Sequence, residues 1–326
     1  NFQNAFIAKR YRRISDYPDI FSHVLGYTSR TEDNLHSTAQ IPQSHWKDAE
    51  LVYAHGLIKG QTGLEEIYDE HLSGQHGHRV YEMNARGQFI QSLSLTKPEK
   101  GSDLFTNLDI DAQKSAAKFL GNRKGAVVAI DLDTGGINVL YSSPVYSINK
   151  LSNGMTENEF QALFNDPNKP FFNRALQGRY PPASTIKPAI GIYGLSNNIV
   201  NWDFEMKDPG YFTLPETGRI FRGWREGGHG KVNMHKAFLV SSNTYFCSVA
   251  YQADITKLSN HLSSLGFGQK VCRDCFDEDQ AFVPTPEWKY SIMNEGWVKG
   301  DTVNLGIGQG YLVATPMQLA NYASIL

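Results

Sequence analysis

At 326 residues, with 40% apolar and 20% charged side chains and a formal charge of -2, the chain has the make-up of a folded globular protein long enough for two domains. This balance excludes a wholly disordered chain and gives no general attraction for nucleic acid or anionic lipid. Three cysteines are too few for a disulfide scaffold, and no run of about 18 apolar residues is present.

Residues 1 to about 103 are polar and mixed, with strand-like runs at Glu66-Ile-Tyr and His78-Arg-Val-Tyr-Glu-Met and scattered glycines, which predicts a β-rich accessory domain. His71, His76 and His78 lie close in sequence, but no Cys or carboxylate set completes them, and they are read as ordinary loop histidines. Lys97 to Asp103 reads as a linker, so the domains are set at 1-103 and 104-326. Asn107-Leu-Asp-Ile-Asp-Ala-Gln then enters an amphipathic helix. Gly125 to Asp131 reads as a strand buried on both faces, turning through Asp133-Thr-Gly-Gly136 into a returning strand at Ile137 to Ser142. A short helix at Glu159 to Phe164 sits among turn residues.

The centre of the chain is Arg179-Tyr-Pro-Pro-Ala-Ser184-Thr-Ile-Lys187-Pro188. A spacing of three puts Ser184 and Lys187 on one face of a helix, an amine beside a hydroxyl, which is a candidate nucleophile and base. The pattern alone is cheap, because Ser-x-x-Lys also begins at Ser44, Ser94, Ser115 and Ser147. What separates Ser184 is its setting: a diproline before it, Pro188 after it, and the apolar run from Ala189 to Ile192 that continues as a buried helix. Further on, Val232 to Tyr251 reads as helical with a break at Ser241-Ser242-Asn243, where a Ser and an Asn two apart can reach into a cleft. Gly306-Ile-Gly308-Gln309-Gly310 has the look of a phosphate loop but lacks the third-glycine spacing and a following Lys-Ser/Thr. Thr315-Pro316 reads as an N-cap and first residue of a last helix. With no initiator Met or signal-like segment at Asn1, and a helical pattern still running at Leu326, both ends are expected to continue in a longer protein.

Taken in order, Tyr-Pro-Pro-Ala-Ser184-Thr-Ile-Lys187, Ser241-Ser-Asn243, Gly300 to Gly310 and Thr315-Pro-Met-Gln318 resemble a class B penicillin-binding protein. His23 to Tyr27, Asn84 to Gly87, Asn173 to Gly178 and Trp224 to Gly230 resemble the elongation-specific subfamily, penicillin-binding protein 2. The resemblance implies an α+β protein, a β-rich N-terminal pedestal followed by a transpeptidase domain whose antiparallel sheet is flanked by helices. It implies a serine D,D-transpeptidase on the periplasmic side of the bacterial inner membrane, held by an anchor outside this chain and inhibited by β-lactams. Ser184 is then the nucleophile, Lys187 the base, Ser241 a proton relay and Asn243 the holder of the substrate amide, while Ser242, Gly308 and Gln309 contact substrate. The family's Lys-Thr/Ser-Gly motif is absent from these residues and is expected downstream. Partners implied are peptidoglycan stem peptides, a RodA-type glycosyltransferase and an MreC-type scaffold that docks on the pedestal; no nucleic acid and no cofactor are expected.

Some members of the subfamily carry a zinc site of two Asp, a His and a Cys. Asp208 and His229 align with two of those ligands, but Gly223 and Ser242 occupy the other positions, so no metal is expected. Cys272-Arg-Asp-Cys275 is read as two surface thiols, with a disulfide or half a metal site as alternatives, and Cys247 as core. The rival functions are a carboxypeptidase or β-lactamase-like hydrolase on the same fold and a non-catalytic β-lactam-binding scaffold or sensor.

Overall fold

The computed structural model describes residues 12-30, 58-75, 77-86 and 89-326. Of the three histidines noted above, His76 lies outside them, as does Gly87 of the 84-87 motif. Two compact units are present, residues 1-173 with 274-276, and residues 174-273 with 277-326.

In the first unit, α1 (Ser22–Leu25) and β1 (Thr28–Arg30) precede β2 (Ile58–Gly60), α2 (Gly63–Ile67), α3 (Asp69–Ser73), β3 (His78–Met83) and β4 (Phe89–Thr96). They are followed by α4 (Ile110–Leu120), β5 (Gly125–Ile130), β6 (Ile137–Ser143), α5 (Ile148–Asn153) and α6 (Glu157–Phe164). The pairs β1-β2, β3-β4 and β5-β6 are antiparallel. Glu66-Ile-Tyr, expected as strand, belongs largely to α2: Glu65 and Glu66 fall in the helix's first turn, where the dipole favours acid, and this outweighs the β preference of Ile67 and Tyr68. The strand expected to be buried on both faces, β5, is only half-buried, with Ala129 exposed; the deep side of the hairpin is β6, from Val139 to Ser143. Helix α4 starts on Asp109, whose side chain accepts from the Ala112 N–H, and it packs on β6 through Gln113. That wholly buried amide donates to the carbonyls of Ile20 and Leu140 and accepts from the Leu140 N–H.

The second unit holds α7 (Arg174–Gln177), a 3-10 turn (Ala183–Ile186) and α8 (Lys187–Ser196), then β7 (Met206–Asp208), β8 (Tyr211–Thr213), β9 (Ile220–Arg222) and β10 (Gly230–Val232). Helices α9 (Met234–Leu239), α10 (Asn243–Gln252), α11 (Ile255–Ser264), α12 (Pro286–Met293), α13 (Lys299–Leu305) and α14 (Pro316–Ile325) complete it. β7 pairs with β10 and β8 with β9, both antiparallel. The core gathers around α8 and α10: Ile186, Ile190, Tyr245, Phe246, Leu258, Leu262, Phe267 and Leu305 are all fully buried or nearly so, each contributing about 1.5–3 kcal/mol. Helix α14 opens as expected, with the Thr315 hydroxyl accepting from the Gln318 N–H and the Gln318 side chain accepting from the Thr315 N–H. Cys272 and Cys275, expected as free thiols, are disulfide-bonded, and Cys247 is the free cysteine, buried in the core. The turn at Arg273 and Asp274 brings the two chain ends of the Cys-x-x-Cys within bridging reach, a geometry the spacing alone leaves open.

Candidate active site

Ser184 is exposed on the 3-10 turn, one residue after Ala183, which holds a left-handed φ of 50°. This conformation is braced from the Gly306-x-Gly308 segment: the Ala183 N–H donates to the Gly308 carbonyl at 2.9 Å, and Tyr180 exchanges backbone hydrogen bonds with Ala314. Residues three apart on a 3-10 turn eclipse one another, so Lys187, at the first position of α8, stands over the same side as Ser184. Pro188 follows without cost, because a helix's first N–H groups have no partner in any case.

The break between α9 and α10 supplies the remaining groups. Ser241 has a left-handed φ of 51°, Ser242 is the N-cap of α10 with its hydroxyl accepting from the Tyr245 N–H, and Asn243 opens the helix. Lys187 is 2% exposed, and its amine reaches the Ser241 carbonyl at 2.8 Å, Ser241 Oγ at 2.9 Å and Asn243 Oδ1 at 2.7 Å. Ser241 Oγ lies 3.2 Å from Ser184 Oγ. The hydrogen-bonded line therefore runs Ser184, Ser241, Lys187, with Ser241 between the two residues that the sequence pairs directly.

Burial pushes the Lys187 amine down from 10.5 to about 8. The Cys247 thiol beneath it is pushed up to about 12 by its own burial, so it is neutral and offers no compensating charge. A neutral amine has two N–H donors and one lone pair. The Ser241 carbonyl and the Asn243 carboxamide oxygen can only accept, so they take the two N–H groups. The lone pair is left facing the Ser241 hydroxyl, which must then donate to it and accept from Ser184. Deprotonating Lys187 thus orients the whole line toward removing the Ser184 proton.

Other expected residues take supporting places. Ser242 and Gly308, expected to touch substrate, are both buried. The Ser242 hydroxyl donates to Asp208 Oδ2 at 2.6 Å, and Gly308 presses on the backbone of Ala183 so closely that an added Cβ would lie 2.1 Å from the Ala183 carbonyl oxygen. Gln309 is exposed, and its N–H donates to the Asn304 carbonyl. Asp208 is 2% exposed; burial works to raise its carboxyl, but hydrogen bonds led by that from Ser242 prevail and hold it below the ordinary range. The His229 N–H donates to the Asp208 carbonyl and its ring meets that of Trp224 at a tilt. Among the described residues no group of three or more His, Cys, Asp or Glu is placed to hold a metal ion. The sequence gives no sign of Arg222, whose carbonyl accepts from Asn243 Nδ2 at 3.4 Å, because a backbone contact carries no residue signature.

Residues 125–326 match the family profile described as penicillin binding protein transpeptidase domain, and residues 1–106 match the penicillin-binding protein dimerisation domain. Peptidoglycan D,D-transpeptidase MrdA of Acinetobacter baumannii is 38% identical over 99% of this chain and 47% of its own length. Pseudomonas aeruginosa PBP2 in complex with WCK 5153 superposes with a TM-score of 0.81 at 32% identity, covering 97% of this chain and 64% of that one. The complex between PBP2 and MreC from Helicobacter pylori also gives 0.81 at 32% identity, covering 96% and 56%. The chain spans about half the length of the curated relatives it matches. Among the described residues no helix is long and apolar enough to cross a membrane.

Proposed function

Because this chain belongs to the penicillin-binding protein transpeptidase family, we propose that it carries the nucleophile of a peptidoglycan D,D-transpeptidase that cross-links stem peptides during cell elongation and rod-shape maintenance. The observation that carries this reading is the unbroken line from exposed Ser184 through Ser241 to a buried lysine whose pKa is about 8. Ser184 Oγ attacks the carbonyl between the two terminal D-alanines while its proton passes to Ser241 and the Ser241 proton passes to Lys187. The scissile C–N bond breaks, the proton returns along the same line to the leaving amine, and D-alanine departs. An amine of a neighbouring stem peptide then attacks the ester and releases Ser184. Asn243 Nδ2, only weakly held by the Arg222 carbonyl, is the group free to turn to the substrate amide. A β-lactam enters the same line and stops at the acyl-enzyme.

Intact-protein mass spectrometry of the full-length protein incubated with a penicillin tests this. The expected result is a stable adduct of one drug mass that is absent from Ser184→Ala. No adduct on folded protein removes the acyl-transfer reading in favour of a scaffold, and fast drug turnover without accumulation favours a hydrolase.

We further propose that the intact protein works on the periplasmic side of the inner membrane with a RodA-type glycosyltransferase and an MreC-type scaffold. The complex of the Helicobacter pylori relative with MreC supports the second. The β3-β4 hairpin leaves the apolar side chains of Val80, Ile90, Leu93 and Leu95 exposed and available for such a contact. Changing Val80, Leu93 and Leu95 to Ser is expected to abolish co-purification with the scaffold from solubilised membranes and to leave Ser184 acylation intact. Equal loss of both would refute this division of labour.

A further inference from the structure

The loop between β9 and β10 holds one large side chain in an unusual state. Trp224 is 67% exposed, yet it is not loose. Its Nε1–H donates to the Val240 carbonyl at 2.9 Å, and the ring meets the His229 imidazole at a tilt of 53° with centroids 5.2 Å apart. The loop is clamped at both ends: the Gly223 N–H donates to the Gly210 carbonyl at 2.7 Å, and the His229 N–H to the Asp208 carbonyl at 3.1 Å. Gly228 is left-handed at φ +70°, and an added Cβ there would lie 2.2 Å from Asp208 and Gly210 backbone atoms. No larger residue fits at Gly228, where the loop lies tight against the Asp208–Gly210 backbone.

A single exposed apolar residue is ordinary on a protein surface. An exposed indole whose one donor is already spent and whose rotation is already fixed is different, because ordering it for a ligand costs almost no entropy. Its location adds the second element. Val240 immediately precedes Ser241, the residue in hydrogen-bonding distance of Ser184, and Arg222, two residues before Trp224, takes the Asn243 amide. The loop that carries the indole thus flanks the same turn that carries the reacting line. Leu239, which precedes Val240, is 76% exposed.

We propose that Trp224 is a specificity-determining residue, a fixed aromatic platform on which the apolar substituent of the acyl donor packs while its carbonyl is presented to Ser184. The proposal rests on the acyl-transfer reading above. The ligand class it selects is an acyl donor with an apolar or aromatic group on the acyl side of the scissile bond, within a few atoms of the reacting carbonyl.

The test compares two penicillins with one reacting ring system, benzylpenicillin, which bears an aromatic acyl side chain, and 6-aminopenicillanic acid, which bears none. Acylation rates of the full-length protein, Trp224→Ala and Trp224→Phe are read by mass spectrometry. In Trp224→Ala the benzylpenicillin rate is expected to fall about tenfold further than the rate for the bare nucleus, the size of a lost ring contact. Trp224→Phe keeps a ring but loses the hydrogen bond to Val240, so both rates fall while their ratio stays within about threefold of the parent's. Equal falls in Trp224→Ala would mean that the indole only braces the Ser241 turn, and no fall in either rate would mean that it does nothing there; both overturn the proposal. A parent protein acylated by neither probe would overturn the acyl-transfer reading itself, which the other outcomes leave standing.

Discussion

At the level of single residues, the proposed acyl transfer turns on Lys187. With an amine that titrates at about 8, acylation of Ser184 is expected to rise with pH to about 8 and to level off above it, as measured by penicillin acylation rates between pH 6 and 9.5. Lys187→Arg, which cannot lose its proton, is expected to lose the acylation limb entirely. The same group has a stability consequence of fixed sign. Its folded pKa is below the ordinary 10.5, so the unfolded chain binds the extra proton between about 8 and 10.5, and the Lys187 contribution to stability rises with pH across that window. The Ser184 and Lys187 pairing was legible because a spacing of three has a local geometric meaning. The interposition of Ser241 was not, since it depends on a contact between residues 57 positions apart in the chain.

At the level of elements, the decisive contact is that of the loop after α13 with the turn before α8. Gly308→Ala places a methyl 2.1 Å from the Ala183 carbonyl oxygen, against backbone that cannot swing aside, and Gly308 is itself left-handed at φ +70°. Ser184, the next residue, is expected to shift by a fraction of an ångström to an ångström and its acylation to slow by about 100-fold, with the melting temperature as the check that the fold survives. The glycine-x-glycine pattern was visible in the sequence, but its partner was not. A glycine reports that something comes close, never what. Secondary structure failed for a related reason at Glu66-Ile-Tyr, where a helix start signal two acids long competes with β-preferring neighbours. It succeeded at Thr315-Pro316 and at Ser241-Asn243, where caps and breaks are written in local chemistry.

For the molecule as a whole, two ways of dividing the chain give different borders. The family profiles meet between residues 106 and 125, while the compact units separate after residue 173. The physical source is visible in the first unit, where the buried Gln113 amide joins α4 to both the Ile20 carbonyl and β6, and the Tyr146 hydroxyl donates to the Ser22 carbonyl. Lys97 to Asp103, expected as a linker from its composition, is largely exposed yet hydrogen-bonds back to α3 and its end through Gln75–Glu99 and the Ser102 N–H to the His71 carbonyl; composition says nothing about which side a segment packs on. Buried amides of this kind decide that, and a lone Gln in an amphipathic helix gives no warning.

The Cys272 to Cys275 bridge closes a loop of only four residues. A ring so small removes little freedom from the unfolded chain, about 2 kcal/mol on the chain-entropy account. Its value is local. The buried Glu278 side chain also accepts from the N–H groups of Val271 and Cys272, each at 2.8 Å, so the segment entering the turn is held by hydrogen bonds as well as by the bridge. Oxidation adds a latch to a shape that hydrogen bonds also hold. Protein made where thiols stay reduced would keep the Glu278 hydrogen bonds without the bridge.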